Sequence, residues 1–507
     1  MGSSDTKSAS PSLQPERAAT GIPGLDDILG GGFPKTRVYL VEGDPGSGKT
    51  TMALQFLLEG LKQGESGLYV TLSETKDELL AVAESHDWNL DHLAIHELSF
   101  PEDKLTPGAY YTFFHPSEVE LSGTTKSVLA EVERVKPVRV VFDSLSEMRL
   151  LARDPLKYRR QILGLKQFFI GRACTVLLLD DRTAPDGDLQ LQSLAHGVVM
   201  LEQLSPLYGA ERRRLRVIKM RGVKFRGGYH DFTIKKGGLE VYPRLISAEH
   251  PKNHVSVTRE STSTGLKEMD QILGGGLNRG TSTLIMGPAG AGKSALASQY
   301  AYAAALRGEK SVIFTFDEGV ATLFDRAESL GCELRKHADS GLVNVQQVDP
   351  AELSPGEFVH RVREAVQKDN VSVVVIDSLN GYLNSMPEES FLVIQMHELL
   401  SFLNQKGVVT ILVVAQHGLL GTTMQAPVDV SYLADTVIIL RYFEANGFVR
   451  KAVSVLKKRY GAHEDSIREY IVSSKGLRVG DPLTGYHGVL TGVPEILPSL
   501  REQSATP

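Results

Sequence analysis

Gly43-Asp44-Pro45-Gly46-Ser47-Gly48-Lys49-Thr50 decides the fold, and the chain carries a second version of it, Gly287-Pro288-Ala289-Gly290-Ala291-Gly292-Lys293-Ser294. Both read as Gly, four residues, then Gly-Lys-Ser/Thr. Wrapping a β-phosphate in backbone N–H groups calls for glycine, because a chain without Cβ atoms can approach that closely. The lysine then reaches the β/γ oxygens, and the hydroxyl of Thr50 or Ser294 is placed to ligate Mg²⁺. An apolar run precedes each loop, Val38-Tyr39-Leu40-Val41 and Ser282-Thr283-Leu284-Ile285-Met286, and a helix-like stretch follows. That strand–loop–helix setting separates a phosphate loop from a chance match. The sequence therefore predicts two nucleoside triphosphate sites. Gly46, Ser47, Gly48, Lys49, Thr50 and Thr51 line the first, and Gly290, Ala291, Gly292, Lys293 and Ser294 the second.

The repeat extends well beyond the loops. Thr20-Gly21-Ile22-Pro23-Gly24-Leu25-Asp26-Asp27-Ile28-Leu29-Gly30-Gly31-Gly32 lines up with Thr264-Gly265-Leu266-Lys267-Glu268-Met269-Asp270-Gln271-Ile272-Leu273-Gly274-Gly275-Gly276, at the same offset of 244 positions that relates Lys49 to Lys293. After each loop a strand-like run ends in acid, Leu68–Glu74 and Val312–Glu318, and a further run ends in Asp-Ser-Leu at Asp143 and Asp377. A third shared element is Leu215–Gly222, matched by Val453–Tyr460. A period this long means duplicated domains rather than a solenoid. Short β-branched runs alternate with helical stretches such as Tyr158–Ile170 and Glu357–Gln367, which implies mostly parallel sheets wrapped by helices. Nucleotide then sits at the carboxyl ends of the strands, where Asp143 and Asp377 emerge, suited to hold a Mg²⁺-bound water or else to cap the following turn.

The 507 residues suit two domains of about 240 each. Expected boundaries are a disordered tail over 1–16, a first domain over 17–247, a linker over 248–263, a second domain over 264–490 and a flexible tail over 491–507. No apolar stretch reaches the roughly 18 residues of a membrane span, and the polar N-terminus carries no secretory signal. Met1–Thr6 fits a permissive myristoylation pattern, which a disordered tail explains as well. Cys174 and Cys332 fall one per half and read as reduced core thiols of a cytoplasmic protein. A net charge of −6 argues against a protein built to coat nucleic acid. One dense basic run remains: Arg212, Arg213, Arg214, Arg216, Lys219, Arg221, Lys224 and Arg226. It reads as a solvated strand edge, as cations aimed at a neighbouring subunit's nucleotide, or as a nucleic-acid groove.

The duplicated loops, the Thr-Gly-x-x-x-x-Asp-x-Ile-Leu-Gly-Gly-Gly lead-in and the Lys-x-Arg runs resemble the KaiC family of double-domain RecA-like ATPases, from about Ala18 to Pro494. The resemblance implies an α/β protein of two tandem RecA-like P-loop domains. It further implies a homohexameric two-tiered ring with ATP between subunits, hydrolysis in the first domain and Ser/Thr autophosphorylation in the second. Carried over by position, Glu74 orients the attacking water in the first site, or alternatively belongs to the helix start at Thr75–Glu78. Asp317 and Glu318 carry out general-base work in the second. Lys219 with Arg221, and Lys457 with Arg459, reach a neighbour's γ-phosphate, an ordinary strand face being the other reading. Ser431 falls on the phosphoserine position, or is simply a turn residue. Departures from the family pattern are Ser73, Tyr432, Tyr460 and Asn384, where the family has Glu, Thr, Gly and Arg. Gly480–Pro494 resembles the tail of KaiC-like proteins outside the cyanobacterial clock. Implied partners are the chain itself and KaiB-like or signalling-kinase proteins. Two other functions share the P-loop core: a nucleic-acid-stimulated motor of the RecA, RadA or DnaB type, and a nucleotide-assembled scaffold with negligible turnover.

Overall fold

The computed structural model describes residues 15–98, 116–152, 154–182, 190–206, 208–249, 260–384, 391–416, 431–445, 447–491 and 495–496, and side chains throughout these except at 116–125, 151, 190, 384, 431, 491 and 495–496. Most of both expected tails and of the expected linker thus lies outside the described residues. The chain divides into two compact units, Met1–Arg244 and Leu245–Pro507.

Each unit is built on one nine-stranded sheet. In the first the order is Gly238–Tyr242, Tyr229–Lys235, Arg212–Met220, Gly197–Leu204, Val38–Gly43, Thr175–Asp181, Arg139–Asp143, Gly67–Thr71, Ala94–Glu97. Six strands from Ala94–Glu97 to Gly197–Leu204 run parallel, and the remaining three add on antiparallel. The second unit repeats this order: Val343–Gln347, Ser311–Thr315, Val373–Asp377, Val409–Ala415, Ser282–Gly287, Thr436–Ala445, Phe448–Lys458, Arg468–Ser473, Gly476–Pro482.

The central strands read as unbroken apolar runs because helices cover both faces of a parallel sheet. Alternation sorts their side chains. Val38 and Leu40 enter the core on one face with Tyr158, Ile162 and Phe169, while Tyr39 and Val41 enter the other with Met52, Phe56 and Leu57. Burying each such side chain is worth about 1.5–3 kcal/mol, so a charge at Val41 would break the layer beneath the phosphate loop. The parallel register also brings the carboxyl ends together: Gly43 pairs with Asp181 and Thr71 with Asp143. In the second unit Gly287 pairs with Ala415 and Thr315 with Asp377. Switch-point geometry places the loops there.

The Lys-x-Arg segments differ from the expected plain strand. The strands end at Met220 and Lys458, so Arg221 and Arg459 lie just past them. Val198 pairs with Lys219 but Val199 with Val217, so Ile218 is an inserted, bulged residue, and Leu456 repeats the insertion between Val455 and Lys457. A bulge breaks the two-residue period and re-aims the side chains after it. It also accounts for the exposure of Ile218 and Leu456, two apolar residues in otherwise half-buried strands.

Candidate functional site

The first site starts from Gly48, which stands at φ 96° as the N-cap of the helix Lys49–Lys62 with no side-chain cap. The first-turn amides of that helix are therefore not used by a cap, the arrangement that binds phosphate. A Cβ on Gly48 would come within 2.8 Å of Ile234 Cδ1, so the position admits only glycine without repacking. Ser47 Oγ is buried with no hydrogen-bond partner. Lys49 is buried, with Nζ 3.0 Å from both the Gly43 and Asp44 carbonyls and 2.7 Å from Asp181 Oδ1. Thr50 Oγ1 donates to Asp143 Oδ2 at 3.3 Å and lies 3.5 Å from Glu74 Oε1. Glycine cradle, buried lysine, an orphaned serine hydroxyl and hard oxygen donors fit a nucleotide with Mg²⁺, Thr50 and Asp143 being the residues to hold the ion and its water.

Glu74 is fixed by its backbone. Thr71 Oγ1 donates to the Glu74 carbonyl at 2.6 Å and accepts from its N–H at 3.0 Å. The helix that follows is capped by Thr75 and Glu78 in a capping box, so Glu74 has no part in capping. Its Oε2 is buried without a partner. Burial raises the Glu74 carboxyl from 4.5 to about 7, with the Asp143 carboxylate adding to the shift. Burial raises Asp143 too, against which Tyr69 and Thr50 donate hydrogen bonds, Tyr69 Oη at 2.5 Å.

The second site copies the backbone and departs in the side chains. Gly292 stands at φ 101° before the helix Lys293–Leu306, and Thr315 holds the backbone of Glu318 as Thr71 holds that of Glu74. Lys293 Nζ donates to the Pro288 carbonyl at 2.8 Å, and burial lowers its pKa. Ser294 hydrogen-bonds Asp377, whose carboxyl is raised by burial. Asp317 Oδ2 accepts from Ser378 Oγ at 2.6 Å. Glu318 is gripped by Arg326: Nε donates to Oε1 at 3.0 Å and Nη2 to Oε2 at 2.8 Å.

Four residues beside the sites were not among the sequence candidates. Asp181 and Tyr69 have Ala415 and Ile313 at the corresponding second-half positions, and Arg326 has Val82 in the first half. Asp180, also unflagged, pairs with Arg149 at 2.5 Å, and burial raises its carboxyl to about 6. Asp180-Asp181 closes an apolar run just as Asp143 does, which was a usable signal.

The Lys-x-Arg pairs bind their own unit. Lys219 Nζ donates to the Gln192 carbonyl and Arg221 Nη2 to the Ser193 carbonyl, at 2.9 Å for Arg221. Lys457 Nζ donates to the Ala434 carbonyl at 2.8 Å, and Arg459 pairs with Asp435 at 2.9 Å. In both units the pair thus secures the segment entering the strand beside the phosphate-loop strand. Ser431 opens a short 3₁₀ turn, Ser431–Leu433, but its side chain, like that of Asn384, lies outside the description. Much of the basic run is engaged internally: Arg212 is buried, Arg214 pairs with Glu202, Arg226 pairs with Asp27, and the guanidinium groups of Arg214 and Arg216 lie over Tyr229. Among the described residues no helix is long and apolar enough to cross a membrane.

Two mostly parallel sheets of one strand order, each with a phosphate loop at its switch point, define a tandem RecA-like P-loop ATPase. Within that class the chain belongs to the KaiC family, whose ATPase family model matches residues 18–246 and 262–484. It is 28% identical over 484 residues to the circadian clock oscillator protein KaiC of Parathermosynechococcus lividus, covering 94% of this chain and 87% of that protein. To the circadian clock protein KaiC3 of Synechocystis sp. it is 26% identical over 489 residues, covering 94% of each.

Proposed function

We propose that the chain hydrolyses Mg·ATP chiefly at its first site, and that its second site performs slower phosphoryl transfer to Ser431, within a homohexamer that holds ATP between subunits. The observation that carries this division is the contrast between Glu74, half-buried beside Thr50 with no ion pair among the described residues, and Glu318, held by Arg326. In-line attack on a γ-phosphate needs a carboxylate to accept the proton of water or a hydroxyl. Glu74 has the proximity and the raised proton affinity for water; Glu318, with Asp317 beside it, is assigned the serine hydroxyl. Lys49 and Lys293 neutralise phosphate oxygens, and Mg²⁺ at Thr50 and Ser294 would add to that neutralisation. In a ring, Lys219 with Arg221 and Lys457 with Arg459 face the neighbour's nucleotide. The relatives' names place them in circadian clocks, and by that likeness we assign this chain to clock or stress signalling in the cytoplasm, with a KaiB-like or kinase partner. The internal engagement of the basic run disfavours a nucleic-acid motor.

The test compares Lys49→Ala with Lys293→Ala for phosphate release, for mass by light scattering in Mg·ATP, and for Ser431 modification by mass spectrometry. The first should lose most hydrolysis and assemble poorly; the second should assemble and hydrolyse but carry no phosphate on Ser431. Mixing Lys293→Ala with Ser431→Ala chains should put label on the former, because transfer occurs between subunits. A monomer at saturating Mg·ATP, or identical behaviour of the two lysine variants, sinks the proposal.

A further inference from the structure

Arg326 sits on the helix Val320–Ser329, two turns beyond Glu318, and its fork covers both carboxylate oxygens. Nε is also 3.3 Å from Oε2, so the guanidinium meets the carboxylate side-on, through Nε and Nη2. The remaining donor, Nη1, is buried without a hydrogen-bond partner. Among the described residues the acidic Asp317 and Asp377 lie nearby too: Glu318, Asp317 and the Arg326 charge all act on Asp377. The first unit has the same helix, Lys76–Ser85, at the same offset, but Val82 occupies the position of Arg326 and packs into the core. At the proton acceptor itself the two sites thus share a backbone, and the second adds a cation on the carboxylate.

A carboxylate offers about four lone-pair sites, and a bidentate guanidinium takes one on each oxygen in the favoured plane. An acceptor so engaged has its in-plane lone pairs occupied and must give up a hydrogen bond of the fork before it can take a proton from water or a hydroxyl. The pair is only partly exposed, with about a quarter of each side chain accessible, so solvent screens it less than a surface pair. We propose that Arg326 is a positioning residue that restrains the second site: by clamping Glu318 it slows proton acceptance there, and Val82 leaves the first site unrestrained.

This deepens the division of labour proposed above and rests on it. The test measures phosphate release in a Glu74→Gln background, where the first site is silenced. Arg326→Val there should raise kcat by roughly three- to tenfold while KM for ATP changes less than about twofold, because the clamp acts on the proton acceptor and not on phosphate binding. Arg326→Lys, which keeps a charge but not the fork, should fall between the two. The reciprocal variant, Val82→Arg in a Lys293→Ala background, should lower first-site kcat, and it keeps the proposal testable if Arg326→Val does not fold. A fall or no change in kcat with Arg326→Val, or no fall with Val82→Arg, overturns the inference. No phosphate release from the unsubstituted chain would instead overturn the hydrolysis reading on which it rests.

Discussion

Lys49 Nζ stands 2.7 Å from Asp181 Oδ1, so the lysine of the first phosphate loop shares its charge with a carboxylate from the adjacent strand. Asp181 lies opposite Gly43 where Ala415 lies opposite Gly287, so Lys293 has no counterpart of it. A γ-phosphate and Asp181 compete for one ammonium. Asp181→Asn removes the competing charge at nearly constant volume and should tighten ATP binding at the first site roughly three- to tenfold, the scale of one half-buried charge-assisted bond. A fluorescent ATP analogue titrated into Asp181→Asn and the parent, both in the Lys293→Ala background, measures it. Weaker binding would show that Asp181 aids the nucleotide rather than competing with it.

Tyr69 Oη donates to Asp143 Oδ2 from a fully buried position, and Ile313 takes its place in the second unit. Deleting a donor to a buried carboxylate costs about 1.5–3 kcal/mol, less when the acceptor is neutral. Tyr69→Phe should therefore destabilise the first unit by that amount, and by about 1 kcal/mol less in an Asp143→Asn background. Denaturant unfolding followed through Trp88, the single tryptophan of the chain, reports on this unit. Equal losses in both backgrounds would mean that the Asp143 charge adds nothing to the bond.

Much of this architecture was legible in the residues, for physical reasons that differ from place to place. The phosphate loops were readable because they constrain backbone: Gly48 and Gly292 stand at φ near 100° whatever surrounds them. Asp143 was readable because a charge ending a buried run must have a use. Helix starts were readable but under-read. Asp154-Pro155 and Ser354-Pro355 are N-cap and first-turn pairs, and the helices begin at Pro155 and Pro355 rather than at Tyr158 and Glu357. The bulges at Ile218 and Leu456 leave no mark in composition. Asp181, Tyr69 and Arg326 were hidden for one reason: each occurs in one copy only, and a reading led by the repeat discards what is not repeated.

Glycine serves packing as well as phosphate. A Cβ at Gly24 would fall 1.9 Å from the Val241 carbonyl oxygen, where the helix Pro23–Leu29 lies against the strand Gly238–Tyr242. That partner is backbone and cannot rotate away, so Gly24→Ala should cost about 1–3 kcal/mol. Gly164 is the control: it is exposed within the helix Pro155–Ile170, with nothing within 4 Å of the added methyl. Gly164→Ala should stabilise by roughly 0.5–1 kcal/mol. Thermal unfolding read through Trp88 should move the two variants in opposite directions; a shared sign would contradict the packing argument.

His230 gives the first unit an acid sensitivity of its own. The ring is buried, its Nδ1 accepts from the Arg244 N–H at 2.9 Å, and its Nε2 lies 3.1 Å from the Arg226 carbonyl. An accepting Nδ1 leaves Nε2 as the donor, so the neutral ring satisfies both contacts and a second proton would face the Arg244 N–H. Burial accordingly lowers the ring from 6.5 to about 4. The unfolded chain takes up the proton first as pH falls, so stability is intact above pH 6.5 and is lost progressively toward pH 4. This depression corresponds to a loss of about 2 kcal/mol at pH 5 and roughly 3 kcal/mol once complete. Urea unfolding followed through Trp88 should show the parent losing more stability between pH 7.5 and 5 than His230→Gln, which has no proton to gain. Other groups titrate in both chains and cancel in the difference. Parallel pH curves for the two proteins would show that the folded His230 ring takes up its proton as readily as the unfolded one, and the assignment of its hydrogen bonds would fall with it.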